Sequence, residues 1–268
     1  MISQKSGTCG SCDQKQPVWF LFSENNLAVT EDRNGVHLPQ LPENHGVAVS
    51  STNFLGEFDG VQYFTAEVDA STLPSNIALK ELRGLFGKLD EATMRLAGRA
   101  AQIVNWDKTH QYCGRCGEKT IRSETEFAMI CPRCALTSYP RISPAVITAV
   151  TRGDQILLAR GKGWEIFSVI AGYVEAGETL EECVAREVME EVSIRVKNIR
   201  YFGSQPWAPS GALMVAFTAE YAGGEIKEDG IEIAEAHWFS AENLPRLPGP
   251  HSISRRLIEW FVHKTEQA

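Results

Sequence analysis

Six of the seven cysteines fall in C-x-x-C pairs, and two of these pairs stand close together. Cys113-Gly-Arg-Cys116 and Cys131-Pro-Arg-Cys134 are separated by fourteen residues. Two tight turns of this kind can each offer two thiolates to one tetrahedral Zn²⁺, with a glycine easing the turn after the first pair. Closing both turns on one ion would fix the fold of a segment of roughly 30 residues that has little core of its own. Four protein ligands leave no open coordination position, so the expected role is structural. Four reduced cysteines without metal are the alternative. The third pair, Cys9 and Cys12, has no second pair nearby, and His37 and His45 are poorly spaced to complete a site. A metal-free tail is expected there. Cys183 reads as a small core residue on the apolar face of a helix.

Compartment follows from the same thiols. The first residues, MISQKSGTCGSC, contain no apolar signal core. The longest apolar runs, Val18–Phe22 and Pro144–Val150, fall well short of the ~20 residues of a membrane span. A cytoplasmic protein with reduced cysteines and no membrane partner is expected. With 26 Lys+Arg against 34 Asp+Glu the net charge is −8. That balance argues against broad, sequence-independent nucleic-acid binding. It leaves room for a small nucleotide or one special end of an RNA, with a metal ion offsetting the repulsion.

A chain of 268 residues suggests about two domains. Short strands are expected at Val18–Phe22, Val47–Ser50 and Tyr63–Val68. Leu79, Leu82, Leu85, Phe86 and Leu89 recur at helical spacing. Leu96, Ala97, Ala100, Ile103, Val104 and Trp106 continue the pattern, so one or two helices, broken near Gly87–Asp90, are expected over 77–107. After the Cys-rich segment the pattern becomes mixed. A hairpin is expected at Ala145–Thr151 and Gln155–Ala159, then a loop from Gly161 to Gly177 and a helix at Thr179–Val192. Strands at Ile199–Ser204, Leu213–Tyr221 and Ala236–Phe239 and a last helix at Ser252–Lys264 complete it. Boundaries near 108 and 140 give three parts: an N-terminal α+β domain at 1–108, a Cys-rich element at 109–139 and a third domain at 140–268.

The strongest chemical signal lies in the third part. Glu187, Glu190 and Glu191 stand at i, i+3 and i+4, on one helical face. Like charges at this spacing repel and destabilise a helix unless something cationic sits among them. Hard divalent ions with oxygen ligands, Mg²⁺ or Mn²⁺, are the natural partner. A solvated acidic face would account for the charge alone. It would not account for Arg186 beside the cluster or for the glycine-framed loop before the helix. Glu178, eight residues ahead of Arg186, could fold back to pair with it and brace the site.

At these residues the sequence resembles the Nudix hydrolases. The box G-x5-E-x7-R-E-U-x-E-E-x-G-U, with U aliphatic, runs from Gly172 to Ile194 and matches at every specified position except the last glycine, which is Ser193. A residue at that point often holds a left-handed conformation, which serine adopts at a cost of ~1 kcal/mol. A four-cysteine element directly before such a domain is similar to the NADH pyrophosphatase subfamily. So is Ser204-Gln-Pro-Trp-Ala-Pro-Ser-Gly-Ala-Leu-Met214, which keeps both ends of the subfamily signature SQPWPFPxSLM but not its middle.

The resemblance implies an α+β chain: a Nudix α/β/α sandwich preceded by a zinc ribbon and an N-terminal α+β domain. It implies Mg²⁺- or Mn²⁺-dependent hydrolysis of NADH or NAD⁺ to AMP and nicotinamide mononucleotide, with NAD-capped RNA as a second substrate. Glu187, Glu190 and Glu191, with Arg186, would form the catalytic set, and the Ala171 carbonyl and Glu232 would join the glutamates on the metal. Tyr173, Gln205, Trp207, Met214, Tyr139, Glu126, Ser254 and Arg83 would bind substrate, and the enzyme would be a homodimer. Two other readings compete: another Nudix substrate such as ADP-ribose, favoured by the changed Ala208–Ala212 stretch, and a non-catalytic nucleotide sensor.

Overall fold

The computed structural model describes residues 16–40 and 47–266. Cys9, Cys12 and His45 lie outside the described residues. The chain forms two compact units, one up to Pro140 and one from Arg141.

In the first unit, β1 (Val18–Ser23), β2 (Asn26–Asp32), β3 (Gly35–His37), β4 (Val49–Phe58), β5 (Val61–Val68) and β6 (Ile77–Glu81) form one sheet. Its order is β3-β2-β1-β5-β4, with β6 on β2, and β1 and β5 run parallel. Helix α1 (Glu91–Thr109) packs on it, capped by the Asp90 carboxylate, which accepts from the Thr93 N–H at 2.9 Å.

The helical expectation for 77–107 is corrected in its first half. Leu79 lies in β6, opposite Ala28, and Leu82–Leu85 is a short 3₁₀ turn. The reason is an open sheet edge. Strands β1 and β2 pair only beside their turn, at Phe22–Leu27 and Ser23–Asn26, so β2 takes β6 as its partner from Asn26 to Thr30. Five residues of apolar-rich chain satisfy either period, and here the neighbouring strand decides. The expected strand at Val47–Ser50 begins two residues later, at Val49, and runs on to Phe58.

The Cys-rich segment carries three two-residue strands, β7 (Ile121–Arg122), β8 (Met129–Ile130) and β9 (Thr137–Ser138), paired antiparallel. It is tied back by Arg122. That guanidinium meets the buried Asp107 carboxylate at 2.5 Å and donates to the Thr52 carbonyl at 2.8 Å.

The second unit is a sheet between two helices. Strands β10 (Ser143–Arg152), β11 (Gln155–Gly161), β12 (Ile170–Tyr173), β13 (Arg195–Trp207), β14 (Ala212–Gly223) and β15 (Ile233–Ser240) join in the order β13-β14-β10-β11-β15, with β12 on β10. Helix α2 (Leu180–Val192) covers one face and α3 (Ile253–Glu266) the other. Alternation along the strands builds both cores. Ile147, Ala149, Ile156 and Leu158 meet Leu257, Ile258 and Phe261 of α3, while Val150, Leu157 and Ala159 meet Val188 and Val192 of α2. The loop expected at 161–177 contains β12, whose four residues pair with Ala145–Thr148 of β10. Cys183 is fully buried among Val146, Val184, Val215 and Phe217, as expected.

Candidate active site and zinc site

Helix α2 is set by its own first turn. Thr179 caps it through a reciprocal box. The Thr179 hydroxyl accepts from the Glu182 N–H at 3.2 Å, and the Glu182 carboxylate accepts from the Thr179 N–H at 2.7 Å. The far end closes at Ser193, which is left-handed at φ 60°. The serine thus occupies the conformation that a glycine adopts without strain, and its hydroxyl donates to the Lys227 carbonyl at 3.2 Å.

Between these ends lies the carboxylate cluster. Arg186 and Glu178 form the expected brace, with guanidinium–carboxylate contacts of 3.0 and 2.6 Å. The same guanidinium donates to Glu187 at 2.9 Å, Glu190 at 3.0 Å and the Tyr173 carbonyl at 2.9 Å. Arg186 and the backbone of Glu175 hold the Glu178 carboxyl down at about 2. One arginine therefore locks the entering loop, strand β12 and the first two clustered glutamates together.

Glu187 owes its place to a missing side chain. Its carboxylate lies where a β-carbon on Gly172 would stand, 1.8 Å from that position. Any other residue at 172 would evict it. Burial raises the Glu187 pKa. Burial also pushes Glu191, only 8% exposed, up to about 8, with the charges of Glu187, Glu232 and Asp229 adding to the effect. Glu190 is largely exposed.

Glu232 comes from the loop before β15 and reaches the field of Glu187 and Glu191. The residue that shapes this loop was not anticipated from the sequence. Asp229 accepts from the N–H groups of Ile231, Glu232 and Ile233 at 2.9–3.1 Å, and its own N–H donates to the Glu191 carbonyl at 3.1 Å. It ties the loop acid to the helix acid. Asp followed by glycine is a turn signal in the sequence, but the distant partner is not visible there.

The substrate candidates of this unit fall on the α3 side. In register across four strands, Gln205 lies beside Met214, Met214 beside Ala145 and Ala145 beside Tyr173. Tyr173 is half exposed, and Trp207 pairs with Ala212 at the end of β13. Met214 and Ala171 pack against the core cluster that contains Ile253. Both polar atoms of the Gln205 amide are engaged by the chain: Nε2 donates to the His251 carbonyl and Oε1 accepts from the Ile253 N–H, both at 2.8 Å. Ser254 is buried, with its hydroxyl 3.0 Å from that of Ser168. Tyr139, Glu126 and Arg83 belong to the first unit, where the Tyr139 hydroxyl donates to Glu126 at 3.4 Å.

The cysteine cluster is also in the first unit. The four sulfurs lie within 4.8 Å of one another, with Cys113–Cys134 and Cys116–Cys131 each at 3.5 Å. A zinc tetrahedron with bonds of about 2.3 Å has edges of about 3.8 Å, so the set suits one Zn²⁺. Two like knuckles present it. In the first, Gly117 (φ 74°) returns its N–H to the Cys113 carbonyl; in the second, Ala135 (φ 59°) returns its N–H to that of Cys131, each at 2.9 Å. The Arg115 and Cys134 N–H groups donate to the first sulfur of each pair, both at 3.4 Å.

Comparison with known proteins agrees with this geometry. Family models match three consecutive stretches: a NADH pyrophosphatase-like rudimentary Nudix domain at residues 16–106, a NADH pyrophosphatase zinc ribbon domain at 108–139 and a Nudix domain at 141–261. The chain is 42% identical to a protein named NAD-capped RNA hydrolase NudC from Pseudomonas fluorescens, over 92% of this chain and 87% of that protein. This chain belongs to the Nudix hydrolases, in the NADH pyrophosphatase subfamily. A protein of the same name from Pseudomonas syringae is 42% identical over 95% of this chain and 93% of its own. A crystal structure of a Nudix hydrolase from Nitrosomonas europaea shares the Nudix fold, with a TM-score of 0.52 at 21% identity, over 59% of this chain and 93% of that one. The zinc ribbon match falls on the four-thiol cluster, which gives that cluster its structural metal. Among the described residues no helix is long and apolar enough to cross a membrane.

Proposed function

We propose that this Nudix hydrolase cleaves the pyrophosphate of NADH and NAD⁺ to AMP and nicotinamide mononucleotide, and removes NAD caps from RNA. The observation that carries the proposal is the identity to the NAD-capped RNA hydrolases across nearly the whole chain, together with an intact carboxylate cluster. The donor set fits a hard divalent cation: carboxylate oxygens from one helix face and a facing loop, partly desolvated and mutually repelling. Glu187, Glu190, Glu191 and Glu232, with the Ala171 carbonyl, would hold Mg²⁺ or Mn²⁺, which supplies charge neutralisation at the phosphates and an acidified water.

The chain's own contribution is placement. Arg186 fixes Glu187 and Glu190 in orientation from the side of Tyr173 and Glu178, so it is a positioning residue in this reading. The half-exposed ring of Tyr173 and the Trp207 indole offer faces for the nicotinamide or adenine, with Met214 between their strands. Gln205 and Ser254 anchor the start of α3 and so form the wall of that pocket. The subfamily resemblance adds Tyr139, Glu126 and Arg83 to the substrate-binding set. The reduced thiol ligands suit a cytoplasmic enzyme, and the subfamily resemblance supports a homodimer.

The test is a release assay. Purified protein with Mg²⁺ or Mn²⁺ is offered NADH, NAD⁺, ADP-ribose and NAD-capped RNA, and AMP or the RNA 5′-monophosphate is measured. Selective release from the three nicotinamide substrates is expected. Equal release from ADP-ribose would favour a broad Nudix diphosphatase, and tight binding without release a nucleotide sensor. Glu191→Gln should abolish turnover while zinc content and the melting profile persist. A variant turning over at the wild-type rate would remove Glu191 from the chemistry.

A further inference from the structure

If capped RNA is a substrate, as proposed above, the polyanion behind the cap must lie on a protein of net charge −8. The strand that leads away from the pocket bears on this. Strand β13 is the sheet edge, and it runs from Trp207 and Gln205 back to Arg195. In a regular strand the odd-numbered Lys197 and the even-numbered Arg200 would face opposite ways. They do not, because β13 is bulged. Asn198 takes φ 52°, and three steps on β13, from Lys197 to Arg200, match two on β14, from Glu220 to Thr218. A second irregularity, two steps from Tyr201 to Gly203 against one from Phe217 to Ala216, adds another extra residue on β13. The β14 partners of Lys197, Arg200, Gly203, Gln205 and Trp207 are then Glu220, Thr218, Ala216, Met214 and Ala212. All are even-numbered and on one face, the face that carries α3.

Helix α3 adds to the same side. Trp260 meets Phe202 of β13 edge-on at 6.3 Å, and Lys264 reaches over the Trp260 ring at 5.3 Å. Arg256 precedes Trp260 by one turn and is exposed. Lys197, Arg200, Arg256 and Lys264 are all exposed, and among the described residues none makes an ion pair. Three acids on these two elements are engaged by other groups. Glu220 accepts from the Asn198 amide at 2.8 Å, Glu259 pairs with Arg255 at 2.9 Å and Glu266 lies 3.3 Å from His263. From Ala212 to Glu220, the β14 partners of Trp207 and Lys197, the strip runs about 26 Å from the Trp207 end of the pocket.

We propose that this strip, Lys197 and Arg200 on β13 with Arg256 and Lys264 on α3, is the track for the single-stranded RNA chain behind the NAD cap. Four exposed cations on one side of the sheet meet the backbone phosphates without reading bases, and the Trp260 ring, between Phe202 and Lys264, offers aromatic surface. Free dinucleotides, which end at the pocket, do not use the strip.

The experiment compares wild type with the fourfold variant K197Q/R200Q/R256Q/K264Q. Turnover of NADH should be unchanged, while kcat/KM on NAD-capped single-stranded RNA falls about tenfold. Binding of an uncapped 5′-monophosphate RNA, followed by fluorescence anisotropy at several salt concentrations, tests the strip apart from catalysis. Losing four phosphate contacts should reduce the slope of log K against log salt by about 3. An unchanged slope and an unchanged rate on capped RNA would overturn the proposal, as would an equal loss on NADH and on RNA, which would place the effect in the fold. A wild type that binds RNA through the strip yet cleaves no capped RNA would refute the substrate assignment and leave the surface standing.

Discussion

Glu232 stands on an exposed loop, yet its electrostatic influence reaches the buried Glu191 and the largely covered Glu187. An acid on a free loop would swing away from like charges. What opposes the repulsion is Asp229, whose carboxylate takes three consecutive N–H groups while its own N–H is spent on the Glu191 carbonyl. Replacing Asp229 by alanine leaves three donors without that partner and frees the loop. The expected result is a drop of about tenfold in Mn²⁺ affinity, with zinc content unchanged and the melting midpoint little altered. Asn, which keeps one acceptor oxygen, should recover part of the affinity. Titrating the manganese electron-spin signal checks it, and full affinity in the alanine variant would show that the loop holds its shape without this side chain. Nothing in the residue pattern announces the role, because an acid that binds backbone donors in a loop looks like any other turn acid. Gly172, by contrast, was legible as part of the box, but the reason for it was not. The reason is a carboxylate that arrives from a helix fifteen residues later.

At the scale of elements, α2 is where local signals and final structure agree best. Its cap, its apolar face with Cys183, Val184 and Val188, and the Glu178–Arg186 brace are all short-range, so spacing exposes them. The misread elements are those whose partner is remote. Strand β12 is only four residues long and exists because β10 leaves an edge for it, and β6 exists because β2 does. Two predictions belong to α2. Glu178 is held at about 2, below its ordinary value of 4.5. A depressed carboxylate contributes stability that is fully present above about pH 4.5 and is lost as pH falls through 2. Glu178→Gln should therefore lower the urea midpoint at pH 7, and the gap to wild type should close on acidification between 4.5 and 2. A gap constant over that range would assign the loss to shape rather than charge. Ser193→Gly acts in the other direction. Relief of the left-handed serine is worth about 1 kcal/mol, against one exposed hydroxyl contact with Lys227 and a more flexible unfolded chain. A rise of about 0.5 kcal/mol in unfolding free energy, with turnover unchanged, is expected by chemical denaturation.

Over the whole molecule, stability is not evenly supplied. The second unit has cores on both faces of its sheet. The Cys-rich segment has three two-residue strands, and apart from its thiols the described ties to its own unit include the ion pair of the exposed Arg122 with the buried Asp107 carboxylate and the Arg122–Thr52 hydrogen bond. Removing the zinc would leave four thiols close together with nothing holding them and would free Arg122 to leave Asp107. That carboxylate, 1% exposed, would then be a buried charge without its partner, an arrangement that typically costs 3–5 kcal/mol. The damage therefore spreads from the ribbon into α1 and the sheet beneath it. Treatment with a strong thiol-competing chelator should lower the calorimetric transition of the first unit by roughly ten degrees or more, since 1 kcal/mol shifts a domain of this size by about 4 °C. The transition of the second unit should stay in place. Arg122→Ala at saturating zinc should lower the same transition while all four thiols remain protected from alkylation. If chelation moved neither transition, the ribbon's metal would be an ornament to a fold that stands without it. If it moved both together, the two units would share a stability that their separate cores do not suggest.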